Sequence, residues 1–121
     1  MLRSMMQVYV KGSREALQCY QQAFQGEILC TYPGENGGYY HAELNAHGQI
    51  LAVSELTEEC RPGNTMQFCF HMGPGQEAAV ETAYQALKPG ATLLVPLGPC
   101  DYSPSMFSLI DRFGVCWCVF V

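Results

Sequence analysis

A chain of 121 residues that is 49% hydrophobic has enough apolar mass for one folded domain or two small, intimately packed modules. Its formal charge of -5, with six Lys and Arg scattered from Arg3 to Arg112, offers no basic patch to phosphate backbones or anionic lipid, so nucleic acid is not an expected partner. No apolar stretch approaches the roughly 20 residues that span a bilayer, and the N-terminal residues lack a signal peptide's apolar middle region, so no membrane partner is expected and the expected location is the cytoplasm.

Residues 5–10, Met-Met-Gln-Val-Tyr-Val, alternate, with Met6, Val8 and Val10 on one face and Met5, Gln7 and Tyr9 on the other, which predicts a half-buried strand. Ser13 stands where it would cap the next segment. Over residues 14–24, Ala16, Leu17, Tyr20, Ala23 and Phe24 recur at helical spacing and leave Glu15, Gln18, Gln21 and Gln22 outside, so an amphipathic helix is predicted, ended by Gly26. A short strand follows at 27–32. The Pro- and Gly-rich residues 33–38 read as a loop, and no phosphate cradle forms there because no helix comes after it. Two strands, 39–46 and 49–56, flank the hairpin-sized break at His47-Gly48. Glu55 shares a face with Leu51 and Val53, a carboxylate on an otherwise apolar strand face.

Residues 57–64 have a linker's composition and fall at the midpoint of the chain, and beyond them the pattern begins again. Residues 66–72 alternate, with Phe68 and Phe70 on one face and Gln67, Cys69 and His71 on the other. Residues 77–87 carry Ala79, Val80, Ala83, Tyr84 and Leu87 at helical spacing, and Pro89-Gly90 stops them. Strands are predicted at 91–96 and 106–111, with a loop over 97–104. Asp111-Arg-Phe-Gly114 turns the chain into an unbroken apolar run, residues 115–121, too short for a transmembrane helix and read as a buried strand. On it Val115, Trp117, Val119 and Val121 point one way, Cys116, Cys118 and Phe120 the other.

The seven cysteines include no C-x-x-C pair, and an odd number without a secretory signal argues against a disulfide framework. Most of them read as small buried hydrophobes, with Cys69, Cys116 and Cys118 expected to be buried and inert.

The order strand, helix, three strands therefore occurs twice, over residues 1–60 and 61–121, with Gln7 and Gln67 at the same place in each first strand. Gly12-Ser-Arg-Glu-Ala-Leu-Gln-Cys-Tyr-Gln-Gln-Ala-Phe-Gln-Gly-Glu27, His41-Ala-Glu-Leu44, Leu51-Ala-Val-Ser-Glu55 and Asp111-Arg-Phe-Gly-Val-Cys-Trp117 resemble the PhnB-like branch of the vicinal oxygen chelate superfamily, which also holds glyoxalase I, extradiol dioxygenases, fosfomycin-modifying enzymes and bleomycin resistance proteins. The resemblance covers nearly the whole chain. It implies an α+β fold of two βαβββ modules whose open, curved mixed sheets surround a cavity, often within a homodimer.

In metal-using relatives the first and last strand of each module supply one ligand each, and the resemblance puts those positions at Met5, Glu55, Gln67 and Cys118. Only Glu55 is a typical ligand for a hard or borderline divalent ion, so no metal cofactor is expected. Two function classes follow. The first is a small-molecule binding protein with a cavity lined by Gln7, Tyr9, Gln67, Cys69, His71 and Cys118. The second is a glyoxalase-like lyase, isomerase or dioxygenase acting on a small oxygenated substrate, with Glu55 as base or weak ligand and His71 or Tyr9 orienting the substrate.

Overall fold

In the computed structural model, which describes residues 1–61 and 63–121, the chain forms two units, Met1–Arg61 and Pro62–Val121. The first runs β1 (Met6–Val10), α1 (Ser13–Phe24), β2 (Glu27–Pro33), β3 (Tyr39–Ala46) and β4 (Gln49–Glu55), and its sheet has the order β1-β4-β3-β2. Strand β1 lies parallel to β4, while β4, β3 and β2 are antiparallel neighbours. The second unit repeats the plan with β5 (Phe68–His71), α2 (Glu77–Leu87), β6 (Thr92–Cys100), β7 (Ser103–Ile110) and β8 (Cys116–Phe120), in the order β5-β8-β7-β6. This is an α+β architecture of two βαβββ modules, each a mixed four-stranded sheet with one helix. Among the described residues no helix is long and apolar enough to cross a membrane.

Each core is the helix-facing side of its sheet. Ala16, Leu17, Tyr20, Ala23 and Phe24 of α1 are buried, and the strands that α1 packs on, β1, β3 and β4, meet them with Val10, Leu44, Leu51 and Val53. In the second unit Val80, Ala83 and Leu87 face Phe107, Leu109, Trp117 and Val119, with Tyr84 5.1 Å from the Phe107 ring and Phe68 and Phe70 5.5 and 5.8 Å from the Trp117 ring. Each large side chain so buried contributes roughly 1.5–3 kcal/mol, enough to fix which face of each strand turns inward. The opposite, open faces carry Gln7 and Tyr9 in one unit and Gln67, Cys69 and His71 in the other, because strand side chains alternate.

Three local expectations are corrected. The α1 helix ends in a left-handed Gln25 (φ 50°), and Gly26 is required one residue later, where any side chain would overlap the backbone carbonyl oxygen of Asn45. Ser13 makes no capping bond to α1; its hydroxyl is used elsewhere, as described below. The loop expected over 97–104 is mostly strand: β6 runs on to Cys100 and β7 starts at Ser103. Three register shifts along the β6–β7 ladder absorb the irregularity, and β6 is an edge strand, where Pro96 and Pro99 cost no interior hydrogen bond.

The turn into β8 is fastened by one side chain. Oδ1 of Asp111 accepts the backbone N–H groups of Phe113 and Val115 at 2.9 Å each, and Oδ2 accepts the indole N–H of Trp117 at 2.8 Å. A carboxylate only 4% exposed thereby orients the largest side chain of the second core.

Candidate functional site

A cleft of about 740 Å³ opens over the first unit's sheet, within the 300–1,000 Å³ range usual for small-molecule sites. Strand alternation supplies its floor: Gln7 and Tyr9 from β1, Ser54 from β4 and His41 from β3. The loop 33–38 with Tyr39 and Tyr40 forms one wall, and Leu56 and Thr57 border it where β4 ends. Gln7 is held in place, its Nε2 donating to Ser54 Oγ at 3.0 Å and to the Val8 carbonyl at 3.1 Å, so its Oε1 is the acceptor presented on this face.

Beneath His41 lies a charged group that sequence reasoning missed. Glu43, also on β3, is 4% exposed, and Arg3 grips it with both guanidinium nitrogens at 2.8 Å each. His41 Nε2 lies 3.0 Å from Glu43 Oε1. The hydrogen bonds from Arg3 and then His41 outweigh burial and hold the Glu43 carboxyl down at about 2, so it is a carboxylate at every physiological pH. The sequence signal was the alternation itself, which puts His41 and Glu43 on one face; nothing in it showed that Arg3, ahead of the first strand, reaches them.

Glu55 stands apart from this group. It borders the cleft, but its side chain turns to α1, where Oε1 accepts the N–H and hydroxyl of Ser13 at 3.0 and 2.7 Å and Oε2 accepts the N–H of Gly12 at 3.0 Å. Ser13 Oγ in turn accepts the N–H of Tyr39 at 2.8 Å. A carboxylate from the last strand of the sheet thus caps the positive end of the helix and ties in the start of β3. Burial raises the Glu55 carboxyl, but the bonds from Ser13 and Gly12 outweigh it and leave the group below its ordinary value. The expected base or metal ligand is therefore placed as a helix cap, with both oxygens engaged.

The remaining expected site residues, Gln67, Cys69, His71 and Cys118, share the second unit's open face. Gln67 Oε1 accepts from Ser108 Oγ at 3.4 Å and from the Cys116 thiol at 3.7 Å, so Gln7 and Gln67 each bond a serine of their own unit. His71 stacks flat on Phe120, centroids 4.6 Å apart. Cys116 and Cys118 are buried, which pushes both thiols up, but Cys69 is exposed, contrary to expectation, because it sits on the edge strand β5.

The architecture matches solved structures over essentially its whole length. A PhnB protein from Bacillus cereus superposes with a TM-score of 0.78 at 23% identity, over 98% of both chains. Protein PA1353 from Pseudomonas aeruginosa gives 0.78 at 25% identity, over 99% of this chain and 97% of that one. A glyoxalase/bleomycin resistance protein/dioxygenase family enzyme from Burkholderia phytofirmans gives 0.69 at 16% identity, over 96% and 94%. The chain has the PhnB-like, vicinal oxygen chelate fold. No protein-family model and no curated protein matches the sequence.

The vicinal oxygen chelate fold implies a divalent metal in many of its members, and the residues here do not fit one. Of the four expected positions, Met5 and Gln67 are poor ligands for such an ion, Cys118 is a buried, raised thiol, and Glu55 is spent on α1. Among the described residues no group of three or more His, Cys, Asp or Glu side chains is arranged to hold a metal ion.

Proposed function

We propose that this PhnB-like protein binds a small planar molecule in the cleft of its first unit and does so without a divalent metal. The observation that carries the reading is the floor of the cleft, where hydrogen-bonding groups are already oriented before any ligand arrives. Gln7 is fixed by Ser54, and His41 is fixed by Glu43, which Arg3 locks as a carboxylate. With Nε2 engaged by Glu43, the imidazole offers Nδ1 to a ligand, while Tyr9, Tyr39 and Tyr40 supply ring surface around it. A planar ligand bearing one hydroxyl or N–H group would be met by apolar faces and by one or two fixed acceptors.

A thermal-shift screen of phenolic and heteroaromatic compounds, run with and without added divalent ions, tests this. The expected result is metal-independent stabilisation by some of them, growing with ligand concentration and lost in Gln7→Ala and Tyr9→Ala. Stabilisation that needs a divalent ion, or that survives both substitutions, would count against it.

The same reading includes a homodimer. The edge strands expose Ile28, Leu29 and Tyr32 on β2 and Leu93, Leu94 and Val95 on β6, apolar surface that a second copy would cover. Light scattering on the purified protein checks the mass. A cytoplasmic setting fits seven cysteines that form no disulfide with one another.

A further inference from the structure

Four of the seven cysteines gather on the second unit's open face. Cys69 on β5 and Cys118 on β8 are direct partners in the parallel ladder, so their side chains leave the same face of strands about 4.8 Å apart. Their thiols lie within reach of each other. Cys116, two residues earlier on β8, points the same way and lies 3.7 Å from Gln67 Oε1. The Tyr102 hydroxyl reaches both Cys118 and Cys100, and its ring meets Phe120 edge-on at 5.4 Å. None of these sulfurs is in a disulfide. Packing alone accounts for Cys116 and Cys118 but not for Cys69, which is exposed and still aligned on Cys118.

The donor set is selective. A structural zinc ion needs four ligands, and among the described residues no group of even three His, Cys, Asp or Glu side chains is arranged for a metal. A soft, closed-shell monovalent ion asks for less, because it prefers sulfur and is satisfied by two thiolates placed on either side of it. We propose that Cys69 and Cys118 form a two-coordinate site for a soft monovalent cation of the Cu(I) class.

The ion enters from the exposed Cys69 side. Both thiols lose their protons to solvent, two metal–sulfur bonds form, and the oxidation state of the ion does not change. Charge balances as one cation bound for two protons released. Tyr102 then donates its hydroxyl hydrogen to the Cys118 thiolate, stabilising the charge left on sulfur.

The full chain, reduced and kept anaerobic, is titrated with Cu(I) presented by a coloured Cu(I) chelator, with proton release followed in weak buffer. One tightly held equivalent with release of two protons is expected, and no Zn(II) binding under the same conditions. Cys69→Ser is the deciding variant, since an exposed side chain leaves the core intact; its affinity should fall by more than the roughly 10–100-fold that loss of an outer-shell partner costs. Cys118→Ala should match it, while Cys30→Ser and Cys60→Ser should bind as the parent does. Unchanged affinity in Cys69→Ser, loss in Cys60→Ser, or Zn(II) binding tighter than Cu(I) would each overturn the assignment.

Discussion

The first unit's sheet presents charge on its open face and the second presents sulfur, although both have the same order of elements. Arg3, His41 and Glu43 form an ionic cluster beside Gln7 and Ser54 in one; Cys69, Cys116 and Cys118 lie beside Gln67 and Ser108 in the other. The units also fasten their last strands differently. Strand β4 is tied back to its helix through Glu55, whereas β8 is set by Asp111, whose carboxylate holds both the turn and Trp117. A repeated backbone plan thus fixes where a face lies, and the side chains placed there decide its chemistry.

The largest effect should come from the fastening of β8. Asp111→Ala removes the carboxylate's bonds to the Phe113 and Val115 N–H groups and to the indole N–H of the fully buried Trp117. A loss of about 3 kcal/mol is expected, since stranding a buried polar group costs roughly 1–3 kcal/mol before the lost turn bonds are added. Hydrogen exchange should accelerate in β7 and β8 well before β3 and β4. Equal acceleration in both units would show that the two cores are not fastened independently.

Next comes Glu43→Gln, which takes the charge partner from the half-exposed Arg3 and slackens His41. A cost of about 1.5 kcal/mol at neutral pH is expected from urea unfolding, the low end for hydrogen bonds to a charged group because water screens the exposed Arg3. The pH dependence is the sharper readout. Glu43 is held down at about 2 when folded, so its contribution is complete above the ordinary carboxyl value near 4.5 and is lost as the pH falls toward 2. Acidification should therefore weaken the parent more than the variant between those values. Parallel curves would mean that the ion cluster does not stabilise the first unit.

Glu55→Gln should cost less, about 1 kcal/mol, the usual scale for a helix cap. The amide oxygen still accepts a bond from α1, but the negative charge facing the helix N-terminus is gone. Exchange should quicken at the first turn of α1 and at Tyr39, whose N–H bonds Ser13. A variant with the parent's stability would free Glu55 for a role in the cleft.

The elements were largely legible because alternation and helical spacing are local properties. Val10, Leu51 and Trp117 could be given faces from their parity alone, and the same parity placed Gln7 with Tyr9 and Cys69 with His71. Partnership was not legible. That Glu55 turns to Gly12 and Ser13 depends on α1 beginning beside the end of β4, which strand spacing does not encode. Arg3 lies outside any periodic segment, so its grip on Glu43, forty residues on, left no trace in a pattern. The loop expected at 97–104 failed for a related reason: Pro96 and Pro99 argue against a central strand, and only the sheet order shows that β6 is an edge.

The smallest effect bears on the two helices. The N-terminus of α1 is met by Glu55, but α2 is preceded by Gln76, whose side chain makes no capping bond, and its first turn is closed by the Ala79 and Val80 N–H groups bonding the Gln76 carbonyl. Aspartate or serine there would accept an N–H of the next turn through a shorter side chain, the geometry in which capping works. Gln76→Asp should therefore stabilise the protein by about 0.5–1 kcal/mol, visible as a higher midpoint in urea with an unchanged slope. The gain should shrink at low pH as the new carboxyl is protonated, since an N-terminal helix charge helps only while it is negative. If Gln76→Asp adds nothing, α2 is held by Val80, Ala83 and Leu87 against β7 and β8 alone, and the cap that Glu55 gives α1 reflects that helix's place beside the cleft rather than a need common to both modules.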